Sequence, residues 1–286
     1  MVKNDLQHIF FLFCLYWLAC DGLSSGYLPV KNGEIFYESV GNGDPIILIH
    51  GGYGDRRMWD SQFVALSEKH EIIRYDHRGF GKSQTPTAPY SPCDDLIKLL
   101  DHLNIPTVHL IGNSMGGTIA IDFTILHPQR VKSLIIVAAG PSGYPIPQEA
   151  YQSVVSVFDT ASYNTAKALE MWLHRPLLQV TNKNESTRSW LYKMALENKS
   201  IFLMKYWPNE KLDPTAYERL NEIRCPTLMI GGSYDMPYTI NMIDSTVARI
   251  NGAKKIIMSD ADHLPHMNDP EKFNRVVLEF IGSVKN

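Results

Sequence analysis

The sequence predicts an α/β fold: a mostly parallel, twisted sheet with helices on both faces and an inserted helical cap. Three observations carry this expectation. From residue 33 onward, apolar runs of strand length alternate with runs of helical length, the pattern of a sheet covered on both faces. At Gly112-Asn113-Ser114-Met115-Gly116-Gly117, the β-branched run Val108-His109-Leu110-Ile111 passes into a helical one through a glycine-rich turn. Between about 142 and 220 the alternation stops and only helical patterns remain.

Composition narrows the class. With 286 residues, 44% of them hydrophobic and 20% charged, the chain can bury a large core and falls between one large α/β domain and a domain with an insertion. A net charge of −3 and a pI near 6.4 supply no basic face, so nucleic acid is set aside as a partner.

In chain order, residues 1–26 read as a signal-peptide-like leader: Lys3 in a polar start, the apolar run Ile9–Cys20, then small polar residues from Gly22 to Gly26. That run is short for a bilayer span. The leader implies a periplasmic, cell-envelope or secreted location, with a cytoplasmic one as the alternative, and membrane association only through the leader itself. Outside it, Cys93 and Cys225 form no C-x-x-C, and no disulfide is required.

Strands are expected at Glu34–Val40, Pro45–His50, Glu71–Asp76, Val108–Ile111, Ser133–Ala139, Thr227–Ile230 and Lys254–Met258, each rich in β-branched residues. Helices are expected near 56–69, 92–103, 115–127, 237–250 and 270–283, with Pro128 stopping the third. The punctuation Gly140-Pro141-Ser142-Gly143-Tyr144-Pro145 opens the insertion. Within it, Tyr151–Trp172, Ser186–Leu196 and Ser200–Trp207 read as amphipathic helices. The domains are therefore a core of 27–141 and 221–286, and a cap of 142–220 placed to select substrate.

Ser114 occupies the centre of a G-x-S-x-G turn, which projects a hydroxyl from the top of a sheet. A serine hydroxyl is a weak nucleophile until a base takes its proton, and the base needs an acid to hold its tautomer. In this kind of sheet enzyme the chain order is serine, acid, histidine. Asp235 follows Thr227–Ile230 through Gly231-Gly232-Ser233-Tyr234, and His263 follows Lys254–Met258 through Ser259-Asp260-Ala261-Asp262. Both loops leave their strands at the edge of the sheet that carries Ser114. Asp260 and Asp262 follow the wrong strand for the acid and read as solvated. Gly81-Lys82-Ser83 fails as a phosphate-binding loop, because the glycine required five positions earlier is Asp76. His263 and His266 have no evident third ligand nearby, so neither a metal nor a cofactor is expected. Asn184-Glu185-Ser186 and Asn198-Lys199-Ser200 match glycosylation sequons.

On His50-Gly51-Gly52-Tyr53-Gly54, Asp76-His77-Arg78-Gly79-Phe80-Gly81-Lys82-Ser83, the Ser114 turn, Gly231–Asp235 and Asp262-His263, the chain resembles the α/β-hydrolase superfamily over roughly residues 28–283. The resemblance implies a catalytic Ser114, Asp235 and His263, His263 being chosen over His266 by its distance from Asp269-Pro270. It also implies an oxyanion hole from the Gly52 amide, or alternatively that of Tyr53, beside the Met115 amide, with Tyr53 also a candidate substrate contact, and a structural turn at Asp76-His77-Arg78. The expected reaction is hydrolysis of a small ester, lactone or related acyl compound through an acyl-enzyme. Gly-Asn-Ser-Met-Gly-Gly is also similar to the turn of meta-cleavage-product and enol-lactone hydrolases, which makes C–C or enol-lactone hydrolysis the alternative reading. That branch implies substrate contacts from Arg188 and Trp190, but it usually carries Trp where this chain has Leu264. A non-catalytic receptor or scaffold of the same fold is the further alternative. The expected partner is a small-molecule substrate, and the oligomeric state is open.

Overall fold

The computed structural model describes residues 22–208, 210 and 212–284. Its apolar runs form eight strands: β1 (Ser24–Val30), β2 (Gly33–Val40), β3 (Pro45–Ile49), β4 (Glu71–Tyr75), β5 (Val108–Asn113), β6 (Val131–Val137), β7 (Thr227–Gly232) and β8 (Lys254–Met258). They make one sheet in the order β1-β2-β4-β3-β5-β6-β7-β8. β2 is antiparallel to both neighbours, and every other pairing is parallel.

Ten α-helices surround the sheet: α1 (Asp60–Leu66), α2 (Pro92–His102), α3 (Met115–Leu126), α4 (Gln148–Ala161), α5 (Thr165–Leu173), α6 (Glu185–Glu197), α7 (Ala216–Arg219), α8 (Pro237–Val247), α9 (Pro265–Asn268) and α10 (Pro270–Ser283) among the described residues. The two-residue period of a strand sorts β3 between two cores. Ile47 and Ile49 pack with Leu96 of α2, Phe123 of α3 and Ile243 of α8. Ile46 and Leu48 pack on the other face with Phe63 of α1 and Phe273 and Val277 of α10. Burial on both faces is why these strands read as continuous apolar runs rather than alternating ones.

β1 is an addition to the expected strands. Its first residues, Ser24–Gly26, belong to the stretch read as leader, yet they pair with Tyr37–Ser39 of β2. As an edge strand it buries only Leu28 and Val30, too little to leave a periodic signal. The rest of the leader reading, residues 1–21, lies outside the described residues. Among the described residues no helix is long and apolar enough to cross a membrane.

The insertion between β6 and β7 packs its own apolar cluster, including Leu169, Trp172, Leu178, Leu191 and Met194, over the carboxyl ends of the strands. The single helix expected over Tyr151–Trp172 is two. Asn164 breaks it with an extended backbone (φ −150°), and its side chain accepts the Lys167 N–H at 3.0 Å to start α5 afresh. The helix expected at Ser200–Trp207 is only the short 3₁₀ segment Lys199–Leu203. At the neck of the cap, the Tyr217 N–H donates to the Ser142 carbonyl at 3.0 Å, and the Ser142 hydroxyl donates to Asp122 of α3 at 2.8 Å. Ala216 and Leu220, inside the segment read as cap, already pack in the core of the sheet.

Candidate active site

Ser114 stands between β5 and α3 with φ 51° and ψ −118°, a backbone pose that costs a non-glycine residue about 1–3 kcal/mol and persists only where its surroundings enforce it. The flanking glycines show the enforcement. A Cβ on Gly112 would lie 2.3 Å from the Gly116 carbonyl oxygen, and one on Gly116 would lie 2.3 Å from that of Ile49. The Ser114 N–H donates to Val137 at 2.9 Å, and the Ser114 carbonyl accepts from Gly117 at 2.9 Å and Thr118 at 3.1 Å. The turn is thus tied to β6 on one side and to its own helix on the other.

The loops after β7 and β8 bring the expected partners to this turn. His263 Nε2 lies 3.0 Å from Ser114 Oγ, and its Nδ1 lies 2.8 Å from Asp235 Oδ2. A carboxylate can only accept, so Nδ1 carries the proton and Nε2 offers its lone pair to the serine hydroxyl. Asp235 Oδ1 accepts the Met236 N–H at 2.7 Å, which fixes the carboxylate. Burial lowers the pKa of His263, but the charge and hydrogen bond of Asp235 outweigh it and hold the value above the usual 6.5.

Three residues to which the sequence assigned no such role hold the histidine loop. Asn113 Nδ2 donates to the His263 carbonyl at 3.1 Å, and the His263 N–H donates to the Leu177 carbonyl of the cap at 3.1 Å. Asp262, read from the sequence as solvated, has no exposed surface. Its carboxylate accepts the N–H groups of Val180 at 2.9 Å, Thr181 at 2.7 Å and Leu264 at 3.0 Å, clamping the cap to the loop that carries His263. Apart from the Leu264 N–H, two residues on, each partner lies far away in sequence or on the cap, so no local pattern announces these bonds.

A cavity of about 380 Å³ opens above Ser114, at the small end of the range for ligand pockets. Ser114, Met115, His263, Gly52 and Tyr53 line it. As the first residue of α3, Met115 has an N–H without an intrahelical acceptor. Gly52 has an ordinary φ and open space where a Cβ would be; the left-handed residue is Tyr53, at φ 62°. Glycine at 52 therefore keeps the cavity clear rather than permitting a special backbone. Tyr53 stacks on Trp172, with centroids 4.7 Å apart, and its buried hydroxyl has no partner among the described residues.

Arg188 and Trp190 are not brought to this cavity. Both lie on α6, where Arg188 lines a separate surface depression with Glu170 and His174, and Trp190 faces another with Arg57 and Met267. The arginine that does line the cavity is Arg175, between α5 and Pro176.

The remaining motif residues are structural. His50 is fully buried, donating from Nδ1 to the Gly51 carbonyl at 2.7 Å and accepting the His77 N–H on Nε2 at 3.0 Å. Asp76 pairs with Arg56 at 2.8 Å and accepts the Lys82 N–H at 2.9 Å, while Arg78 binds Asp95 through two bonds of 2.7 and 2.5 Å. His266 is buried against Trp59 with centroids 4.2 Å apart. Cys93 and Cys225 are unpaired, and burial raises both thiols. Asn198 of the second sequon is 3% exposed and bonded to Asp55, a position closed to a glycan.

A family model described as alpha/beta hydrolase fold matches residues 44–270. Among curated proteins, a 2-hydroxy-6-oxononadienedioate/2-hydroxy-6-oxononatrienedioate hydrolase of Paraburkholderia phymatum is 27% identical over 92% of this chain and 97% of its own. A proline iminopeptidase of Heyndrickxia coagulans is 25% identical over 91% and 99%. Among solved structures, a thermophilic esterase from Thermogutta terrifontis with malate bound gives a TM-score of 0.80 at 25% identity, covering 92% of this chain and 100% of the other. The family match spans most of the chain and the relatives, matched over nearly their whole length, are named for hydrolytic reactions, so the chain belongs to the α/β-hydrolase fold family and is a hydrolase.

Proposed function

We propose that the chain is a serine hydrolase of small carboxylic esters, lactones or related acyl compounds, working through an acyl-enzyme on Ser114. The observation that carries this reading is the unbroken run of hydrogen bonds Asp235–His263–Ser114 on the wall of a small cavity. His263 takes the Ser114 proton as the hydroxyl attacks the carbonyl carbon, and returns it to the leaving alcohol. Asp235 steadies the imidazolium. The Met115 and Gly52 amides receive the oxyanion, each donor worth about 3 kcal/mol in the transition state. Water, deprotonated by the same His263, then releases the acid.

C–C hydrolysis of a dienoic diketo acid is the second reading, favoured by the relative named a 2-hydroxy-6-oxononadienedioate hydrolase. Leu264, buried beside His263, is the departure from that branch. Two assays separate the readings. A fluorophosphonate should label Ser114 in the intact protein, and failure to label under conditions that modify a control esterase would leave a receptor or scaffold role. Turnover of a coloured dienol substrate hundreds of times more efficient than of p-nitrophenyl acetate would make C–C cleavage the reaction.

A further inference from the structure

Arg56, Arg57, Arg74 and Arg78 are all buried or half-buried, and each faces at least one carboxylate: Asp76, Asp55, Glu38 and Asp95 in turn. Arg175 differs from these four. It is half-buried in the wall of the cavity that holds Ser114 and His263, and its side chain makes one bond among the described residues, from Nη2 to the Ser153 hydroxyl at 2.9 Å. Burial lowers the pKa of its guanidinium, and the phenols of Tyr53 and Tyr238 line the same cavity. A guanidinium has five N–H donors in a planar fork that matches a carboxylate, and taking it from water without a partner is costly. Its backbone is well held. Pro176 confines Arg175 to an extended conformation (φ −63°, ψ 145°), and two residues on, the Leu177 carbonyl accepts the His263 N–H. The backbone of Arg175 is therefore set relative to the histidine, and its charge disfavours the His263 imidazolium that the reaction needs.

We infer that Arg175 is an anion subsite of this cavity, and that the substrate is an acyl compound bearing a carboxylate, such as a monoester of a short dicarboxylic acid. Bound there, the carboxylate fills the free donors of the fork and neutralises the charge facing His263. The identity of the reacting ester rests on the hydrolase reading above; the anion subsite does not.

The test compares the p-nitrophenyl monoester of glutaric acid with p-nitrophenyl butyrate, and adds binding of glutarate to the Ser114→Ala protein by calorimetry. The unmutated enzyme should prefer the anionic ester. Arg175→Gln should lower the anionic-to-neutral ratio of kcat/KM by about 10- to 100-fold, mainly through KM, while Arg175→Lys retains part of it. Glutarate should bind the Ser114→Ala protein and lose that affinity when Arg175→Gln is added. A ratio unchanged within about threefold, equal losses for both esters, or no glutarate binding would each overturn the subsite. Arg175-dependent glutarate binding in a protein that turns over neither ester would keep the subsite and overturn the hydrolase reading.

Discussion

The sheet edge and the cap hold their functional groups by different means. At the edge, Ser114, Asp235 and His263 stand in the turns and loops that follow β5, β7 and β8, whose parallel pairing brings these loops to one end of the sheet. The cap has no sheet beneath it. Its short helices share one apolar cluster, and point contacts tie them down: Asp262 to Val180 and Thr181, Asn198 to Asp55 and Gly81, and Ser142 to Asp122. A strand end is a rigid mount, whereas a helical cap on a few polar ties can vary its cavity wall, provided the ties from Leu177, Val180 and Thr181 to the His263 loop are kept.

The sharpest way to break this contrast is at the edge. Ser114→Ala should abolish at least about 10⁴-fold of kcat with the melting temperature intact, and Asp235→Asn should cost nearly as much because His263 then loses its tautomer. Asp235→Asn remaining within tenfold of the parent would remove Asp235 from the site. A pH profile comes next. His263 must be neutral to accept the Ser114 proton, and Asp235 raises its pKa above 6.5, so kcat/KM should climb tenfold per pH unit on the acid side and level off only above that value. A profile flat from pH 5 to 8 would exclude His263 as the base.

Smaller effects belong to the cap. Asp262→Asn sets an amide N–H against either the Leu264 N–H or those of Val180 and Thr181; it should cost about 2 kcal/mol, a drop of about 5 °C in melting temperature, and expose the cap to proteolysis before the core. Cleavage of core and cap together would show them to be one cooperative unit. Arg188→Ala, outside the cavity, should change kcat/KM by less than about threefold. A larger loss would return the substrate-binding role to α6.

What was legible in the sequence follows the same division. The central strands and the Ser114 turn could be read because burial on two faces writes itself as a continuous apolar run, and because crowding at Gly112 and Gly116 admits no side chain. β1 escaped, since an edge strand burying Leu28 and Val30 carries almost no pattern. The break at Asn164 escaped too: its capping bond to Lys167 competes with a helical periodicity that continues on both sides. Asp262 looked solvated because nothing local reveals that the cap folds down upon it.

The sequence by itself determined the fold, the order of serine, acid and histidine, and the edge of the sheet they share, because strand period, glycine crowding and chain order are local properties. Only the tertiary structure decided which arginine meets the cavity. Arg188 and Arg175 are thirteen positions apart on one cap, and the choice between them rests on how α5, Pro176 and α6 pack over His263. A helix can turn any of its faces toward a cavity, and contacts distant in sequence select the one that does.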